Sequence, residues 1–305
     1  MKNILSGFVV MVFCATAGFA AFSKNDAGTS GAQFLKLGAG ARATSMGNAF
    51  VGISDDSTAI YWNPAGLSQL QKNNVSLMHA IWFEDISYDW VSYARPVENI
   101  GTFGIAIQYL SYGSIKQTDN AGLEMGDFSP ADAAATLSYG RKVLGLLTGV
   151  SVKYISSKIT NTATAYAADI GVMCKMINDK LSIGFAAQNM GTKLKYISEE
   201  DPLPASVTLG GAYRIKNHWL IALDANASVD YEANIGFGTE YTRICWAKTS
   251  VAVRAGYSTR TKYVGGLNGF TGGVGFTYSN YSLDYAFVPY GDLGDTQRIS
   301  LSLKF

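Results

Sequence analysis

Arg298-Ile299-Ser300-Leu301-Ser302-Leu303-Lys304-Phe305 closes the chain, and its pattern decides the fold. Ile299, Leu301, Leu303 and Phe305 fall at every second position, alternating with Arg298, Ser300, Ser302 and Lys304. A side-chain period of two belongs to a strand, whose successive side chains point to opposite faces. One face of this segment is wholly apolar, and the other carries hydroxyls and charge.

The same stripe recurs upstream. Phe103, Ile105, Ile107 and Tyr109 oppose Gly104, Ala106 and Gln108, and Ile170, Val172, Cys174 and Met176 oppose Asp169, Gly171, Met173 and Lys175. Trp219, Ile221 and Leu223 oppose Ala222 and Asp224, and Tyr281, Leu283, Tyr285 and Phe287 oppose Ser282, Asp284 and Ala286. Counted this way, about fourteen segments follow one another, near 74–83, 86–96, 101–111, 131–142, 146–157, 165–177, 180–189, 205–215, 218–229, 233–243, 248–257, 269–278, 280–290 and 296–305. Alternate connections are brief, as at Glu98-Asn99-Ile100, Ile177-Asn178-Asp179-Lys180, Lys216-Asn217 and Ser279-Asn280. Those between are long and polar, as at Gly113 to Pro130, Met190 to Pro204 and Ser258 to Asn268.

Composition says what the apolar face meets. Only 15% of the 305 residues are charged, against roughly 25% in a soluble domain. A soluble sandwich would alternate as well, but few charges interrupt the outward stripe here. No apolar run of about 18 residues follows the first 22 positions, which disfavours a helical membrane protein. Lipid offers no partner to a sheet edge, so a spanning sheet must close. The expectation is an all-β fold: a 14-stranded antiparallel transmembrane β-barrel in a bacterial outer membrane, with short periplasmic turns and long outer loops. Lys153, Asp169, Asp224, Arg254, Asp284 and Arg298 would then face the lumen, to be paired or hydrated. Tyr88, Trp90, Tyr213, Trp219, Tyr257 and Tyr278 would form interfacial girdles. Leu301, Leu303 and Phe305 mark the C-terminal strand as the element for membrane insertion, with outer-membrane lipid and the barrel-assembly machinery as partners.

The first part of the chain reads differently. Lys2 followed by the apolar run Ile4 to Ala17 and small residues near position 20 is a secretory signal pattern. The expected division is a signal peptide at 1–20, a small N-terminal helical hatch or plug at 21–72, and the barrel at 73–305. Ala43, Met46, Gly47 and Phe50 share one face of a short helix. Asn63-Pro64-Ala65-Gly66-Leu67 reads as a cap, a proline at the first helical position and one turn. Asp55-Asp56 suits capping of the helix that follows better than cation binding. Gly38-Ala39-Gly40 lacks the strand–turn–helix surroundings of a nucleotide site and reads as close backbone packing. Cys174 and Cys245 could pair but make no disulfide framework. His79 and His218 stand apart from any acid or cysteine pattern. No catalytic constellation, metal site or cofactor is expected, and a net charge of +1 with no basic stretch excludes nucleic acid as a partner.

Leu37-Gly38-Ala39-Gly40-Ala41-Arg42-Ala43-Thr44-Ser45-Met46-Gly47-Asn48-Ala49-Phe50-Val51, with Asp55-Asp56-Ser57-Thr58-Ala59-Ile60-Tyr61-Trp62-Asn63-Pro64-Ala65-Gly66-Leu67, resembles the PorV/PorQ family of outer-membrane proteins. That family is similar to the FadL-type long-chain fatty-acid transporters. The likeness continues at Gly126-Asp127-Phe128-Ser129-Pro130-Ala131-Asp132 and at Asp201 to Gly210. The resemblance implies fourteen strands and a luminal hatch with an Asn-Pro-Ala element, here Asn63, Pro64 and Ala65. These three, with Arg42, Met46 and Phe50, are the gating candidates. The chain is shorter than the fatty-acid transporters and lacks their long apolar outer loops. Two functions follow: transport of a hydrophobic compound across the outer membrane, or docking and shuttling of exported cargo for type IX secretion.

Overall fold

A computed structural model describes residues 27–216, 218–261, 267 and 269–305. The signal segment expected at 1–20 lies outside the described residues.

Fourteen strands close into one antiparallel barrel. They are β1 (Asn74–Ile81), β2 (Ser87–Val97), β3 (Gly101–Ser111), β4 (Ala131–Val143), β5 (Leu146–Lys158), β6 (Thr162–Met176) and β7 (Leu181–Gly191). After these come β8 (Ser206–Ile215), β9 (Trp219–Ser228), β10 (Tyr231–Trp246), β11 (Thr249–Ser258), β12 (Phe270–Tyr278), β13 (Tyr281–Pro289) and β14 (Asp295–Lys304). Each expected segment corresponds to one of these strands. Every strand pairs with its sequence neighbours, and β1 pairs with β14 from Asn74↔Lys304 to Ile81↔Gln297. That seam satisfies the last two edges, as a wall surrounded by lipid requires.

Alternation assigns the faces. Ile105, Leu137, Val152, Val253 and Leu301 are exposed on the outside, whereas Ser92, Gln108, Ser138, Lys153, Asp169 and Arg298 are buried inside. Tyr213, Trp219 and Tyr278 stand exposed on the outer face near strand ends, and Tyr257 is half-buried against Phe270. Tyr88 and Trp90 correct the girdle expectation: they occupy the inward positions of β2 and are fully buried in the lumen. There Trp90 stacks edge-on to Tyr61, ring centroids 5.9 Å apart, and donates from Nε1 to Ser92 Oγ.

Short turns gather at one end, made tight by positive φ at Asn99, Asn178, Lys216 and Ser279. Phe305 N–H donates to Asn73 O at the same end, tying the C-terminus to the start of β1. At the other end, two of the long polar loops form small hairpins, Ile115–Thr118 with Glu124–Phe128 and Leu194–Lys195 with Glu200–Asp201. Among the described residues no helix is long and apolar enough to cross a membrane; the chain crosses with strands.

Residues preceding β1 fill the barrel. The helix expected around Ala43 to Phe50 ends early, at Ala41–Thr44. Gly47 and Asn48 have positive φ, which a helix cannot continue through. A second short helix, Ala59–Trp62, leads to the 3-10 turn Pro64–Gln69. That turn is capped as read from sequence: Ala65 N–H donates to Asn63 Oδ1 at 3.1 Å, with Pro64 at the first position.

Candidate functional site: the occupied lumen

The segment from Gly31 to Leu70 runs the height of the lumen. At the long-loop end Gly31 N–H donates to Pro202 O, and Lys36 Nζ pairs with Asp230 at 2.6 Å. At the short-turn end Ser68 Oγ donates to Thr148 O. Between these points the segment holds itself in shape. Tyr61 Oη donates to Leu35 O and accepts from Gly38 N–H, Trp62 Nε1 donates to Ala39 O, and Gln69 Nε2 donates to both Ile53 O and Ser54 O. Burial pushes the Tyr61 phenol up to about 12, so it stays a neutral donor.

Much of the contact with the wall is made against bare strand backbone. Where the segment presses closest, the strands offer glycine at lumen-facing positions. A Cβ at Gly149 (β5) would overlap the Pro64 carbonyl and Ala65 N, and one at Gly171 (β6) would overlap Asn63 Oδ1. On β7, Gly184 would meet Val51 O at 2.5 Å; on β10, Gly236 would meet Gly47 O at 2.5 Å. On β12, Gly273 would meet Ser45 Cβ at 2.5 Å. Any side chain at these positions would lift the segment off its seat, which is the physical reason for glycine in a strand interior.

Charge fixes the segment as well. Arg42 lies between two carboxylates, Nη1 at 2.5 Å from Asp55 Oδ1 and Nε at 2.7 Å from Glu240 Oε2 of β10. Arg254 reaches Glu240 and Asp284 at 2.7 Å each, so the chain of pairs runs from the segment across β10, β11 and β13. Burial works to raise the Asp55 carboxyl, but the Arg42 guanidinium outweighs it and holds the group below its usual range. Asp56 goes the other way, raised by burial and by Asp55 beside it; its Oδ1 accepts from Thr58 N–H ahead of the second helix. Asp224 of β9 accepts two backbone N–H groups, from Phe50 and Val51, at 2.8 Å. Arg298 of β14 donates to Leu37 O at 2.9 Å, and Ala41 N–H donates to Ser300 Oγ.

The six sequence candidates in this segment therefore lie in one luminal block. Met46, Phe50, Asn63 and Ala65 are fully buried, Pro64 is buried with them, and Arg42 is partly exposed toward the short-turn end. Leu301, Leu303 and Phe305 sit apart from it at outward-facing positions, on β14 and just beyond its end. Of the six lumen charges named from sequence, Lys153 pairs with Asp169 at 2.7 Å, and the other four are engaged as described. The seat glycines and Glu240 escaped the sequence reading. Their signal was parity: they recur at inward positions of strands whose outward positions are large and apolar. His79 has Asp89 directly opposite in the β1–β2 register, with Nδ1 2.7 Å from Oδ1 on the outer face, apart from the luminal block. Cys174 and Cys245 are unpaired.

Above the segment, toward the long loops, lies a hollow of about 70 Å³, bordered by Asn48, Gln188, Asn226 and Asp224 together with Leu35, Val51, Tyr61 and Trp62. Asn48 Oδ1 and Asp224 Oδ1 are buried without a hydrogen-bond partner. The hollow is of mixed character, with these two unpartnered acceptors set beside the apolar side chains of Leu35, Val51 and Trp62.

Residues 20–231 match the family model described as type IX secretion system protein PorV. The UPF0164 protein of Treponema pallidum (strain Nichols) is 22% identical over 330 residues, covering 99% of this chain and 76% of that protein. Among solved structures, the Pseudomonas putida toluene transporter TodX is similar with a TM-score of 0.59 at 14% identity, covering 87% of this chain and 96% of that one. The Ralstonia pickettii toluene transporter TbuX gives 0.57 at 14% identity, covering 88% and 98%. At these identities the structures share the fold of the barrel.

Proposed function

This chain belongs to the PorV family of outer-membrane β-barrels, and from that premise we propose that it is a docking barrel of type IX secretion. In this reading it receives exported proteins at its long outer loops, and the described part of the expected 21–72 hatch, from residue 27 on, is fixed. The observation that carries the reading is the seat. The segment lies on bare strand backbone at Gly149, Gly171, Gly184, Gly236 and Gly273 and is pinned by Arg42 between Asp55 and Glu240. A passage for a hydrophobic compound needs a continuous apolar path, and in the small hollow above the hatch Asp224 and several amide side chains interrupt the apolar surface of Leu35, Val51, Tyr61 and Trp62. Asn63, Pro64 and Ala65, with Arg42, Met46 and Phe50, then serve as anchors of the hatch and not as its gate.

Affinity purification from native outer membrane, with protein and lipid partners identified by mass spectrometry, tests this. A docking barrel co-purifies with a large protein partner, and secretion fails when the 113–130 or 190–204 loop is shortened. Recovery of a bound hydrophobic compound, with uptake lost on altering Asn63-Pro64-Ala65 and secretion intact, would overturn the proposal in favour of transport.

A further inference from the structure

The luminal mouth at the short-turn end, which faces the periplasm in a barrel of this kind, is basic. A hollow of about 370 Å³ beneath the segment is bordered by Lys175, Lys180, Arg214 and Lys216, together with Asp55 and Asp179. Asp55 is already taken by Arg42. Among the described residues none of the four cations makes an ion pair, which leaves Asp179 as the one other carboxylate on the hollow. Lys175 and Arg214 continue the inward-facing rows of Met173 and Ala212, so they point to the lumen and not to lipid. Two more hollows open at the same mouth. Lys72 and Lys304 border one of about 330 Å³, beside carboxylates that Arg42 and Arg254 already hold. Arg141 and Lys142 border one of about 690 Å³, with Glu98. The whole chain carries a net charge of only +1, so this is a local concentration and not a general basicity.

Unpaired like charges around one concave rim repel each other, and a complementary partner offsets that repulsion. The ring extends from β14 and β1 past β4 to β8, through three hollows, so a single small anion would meet only one group of cations. A lipid headgroup would meet the outer wall. We propose that the periplasmic mouth of this barrel docks an extended acidic segment of a periplasmic protein. The inference rests on the orientation of the barrel alone, and stands whether or not the outer loops receive cargo.

The test uses the detergent-purified full chain and a fluorescent peptide rich in Asp and Glu, followed by anisotropy at rising salt. The controls are the Asn/Gln version of the peptide, inorganic pyrophosphate as competitor, and phosphatidylglycerol vesicles. Binding should be specific to the acidic peptide and weaken with salt. The combined Lys175→Gln, Lys180→Gln, Arg214→Gln, Lys216→Gln variant should bind about tenfold more weakly, the sum expected of four exposed ion pairs. Lys72→Gln with Lys142→Gln and Lys304→Gln should weaken it independently, because the segment spans the mouth. Heat-modifiable gel mobility verifies that each variant is a folded barrel. Equal binding of the neutral peptide overturns the proposal. So does dependence on the first four cations alone with full displacement by pyrophosphate, which means a small-anion pocket, or binding to the vesicles in place of the peptide, which means a headgroup site.

Discussion

Gly149→Ala places one methyl group where the wall and the luminal segment touch. Its Cβ would overlap the Pro64 carbonyl carbon and oxygen and Ala65 N, all backbone atoms that no rotamer change can move aside. Restoring an ordinary separation of about 3.5 Å requires β5 or the Pro64–Gln69 turn to shift by roughly an ångström. Overpacking of this kind costs about 1–3 kcal/mol. With backbone on both sides the upper end applies, and about 3 kcal/mol corresponds to roughly a hundredfold in the equilibrium between seated and lifted turn. Amide hydrogen exchange reads that equilibrium. In the wild type Ala65 N–H is held by Asn63 Oδ1 at 3.1 Å and Gly66 N–H by Asn63 O at 2.9 Å. Peptides covering 59–70 should exchange about a hundredfold faster in the variant while strand peptides stay protected. Gly211→Ala and Gly272→Ala serve as controls, since the nearest atoms to their Cβ positions lie at 3.8 and 3.9 Å; both should match the wild type. Wild-type exchange across 59–70 in a folded Gly149→Ala barrel would refute the seat.

Arg42→Ala removes the ion-pair partner of Asp55, whereas Glu240 keeps Arg254. Both Arg42 and Asp55 are partly exposed, so the expected cost is about 1–3 kcal/mol, between that of an exposed pair and a buried one, seen as a lower thermal midpoint that Arg42→Lys restores only in part. Asp230, on the connection after β9, has its carboxyl held below the usual range: burial opposes this, and hydrogen bonds from Gln33, Lys36 and Ser228 outweigh it. A folded pKa below the unfolded value stabilises fully above the ordinary 3.8 and is lost as pH falls through the folded value. Gln33 and Lys36 belong to one 3-10 turn, Gln33–Lys36, which should therefore loosen on acidification below pH of about 4, and Asp230→Asn should be loose at neutral pH, read by tryptic cleavage at Lys36. Leu301→Arg puts a charge on the lipid face and should cost about 2–4 kcal/mol in urea-titrated folding into vesicles, while Leu301→Met, which keeps that face apolar, should cost far less.

The barrel was legible because each strand carries its own record of which side faces lipid. Ile299, Leu301 and Leu303 read outward without reference to any other segment, and the brief turn at Ser279-Asn280 dates the reversal of the chain. The occupied lumen was legible only in pieces. Asn63-Pro64 announces a capped turn by local chemistry alone, and the turn is there. The helix through Met46 and Phe50 was overextended, because what stops it is pressure from Tyr257 and Phe237 carbonyls against Gly47, some two hundred residues away in sequence. Tyr88 and Trp90 were misplaced for a related reason. Aromatic side chains near strand ends suit the membrane interface, but these two have inward parity and find Gln108 and Tyr61 inside. Pairings such as Arg42 with Glu240 depend on which strands come to lie opposite one another around the lumen, which alternation does not encode.

The β1–β14 seam and the glycine seat together favour an order of events. The luminal segment precedes β1 in the chain, and it rests on strands as distant as β12. A wall already zipped shut would have to admit this bulky stretch through one of its two mouths. Wrapping the strands around the segment, with β14 arriving last as the latch, avoids that passage. A chain whose segment is missing at that moment closes over a girdle of naked backbone, and such a hollow ring is the defective product that an assembly pathway has reason to detect.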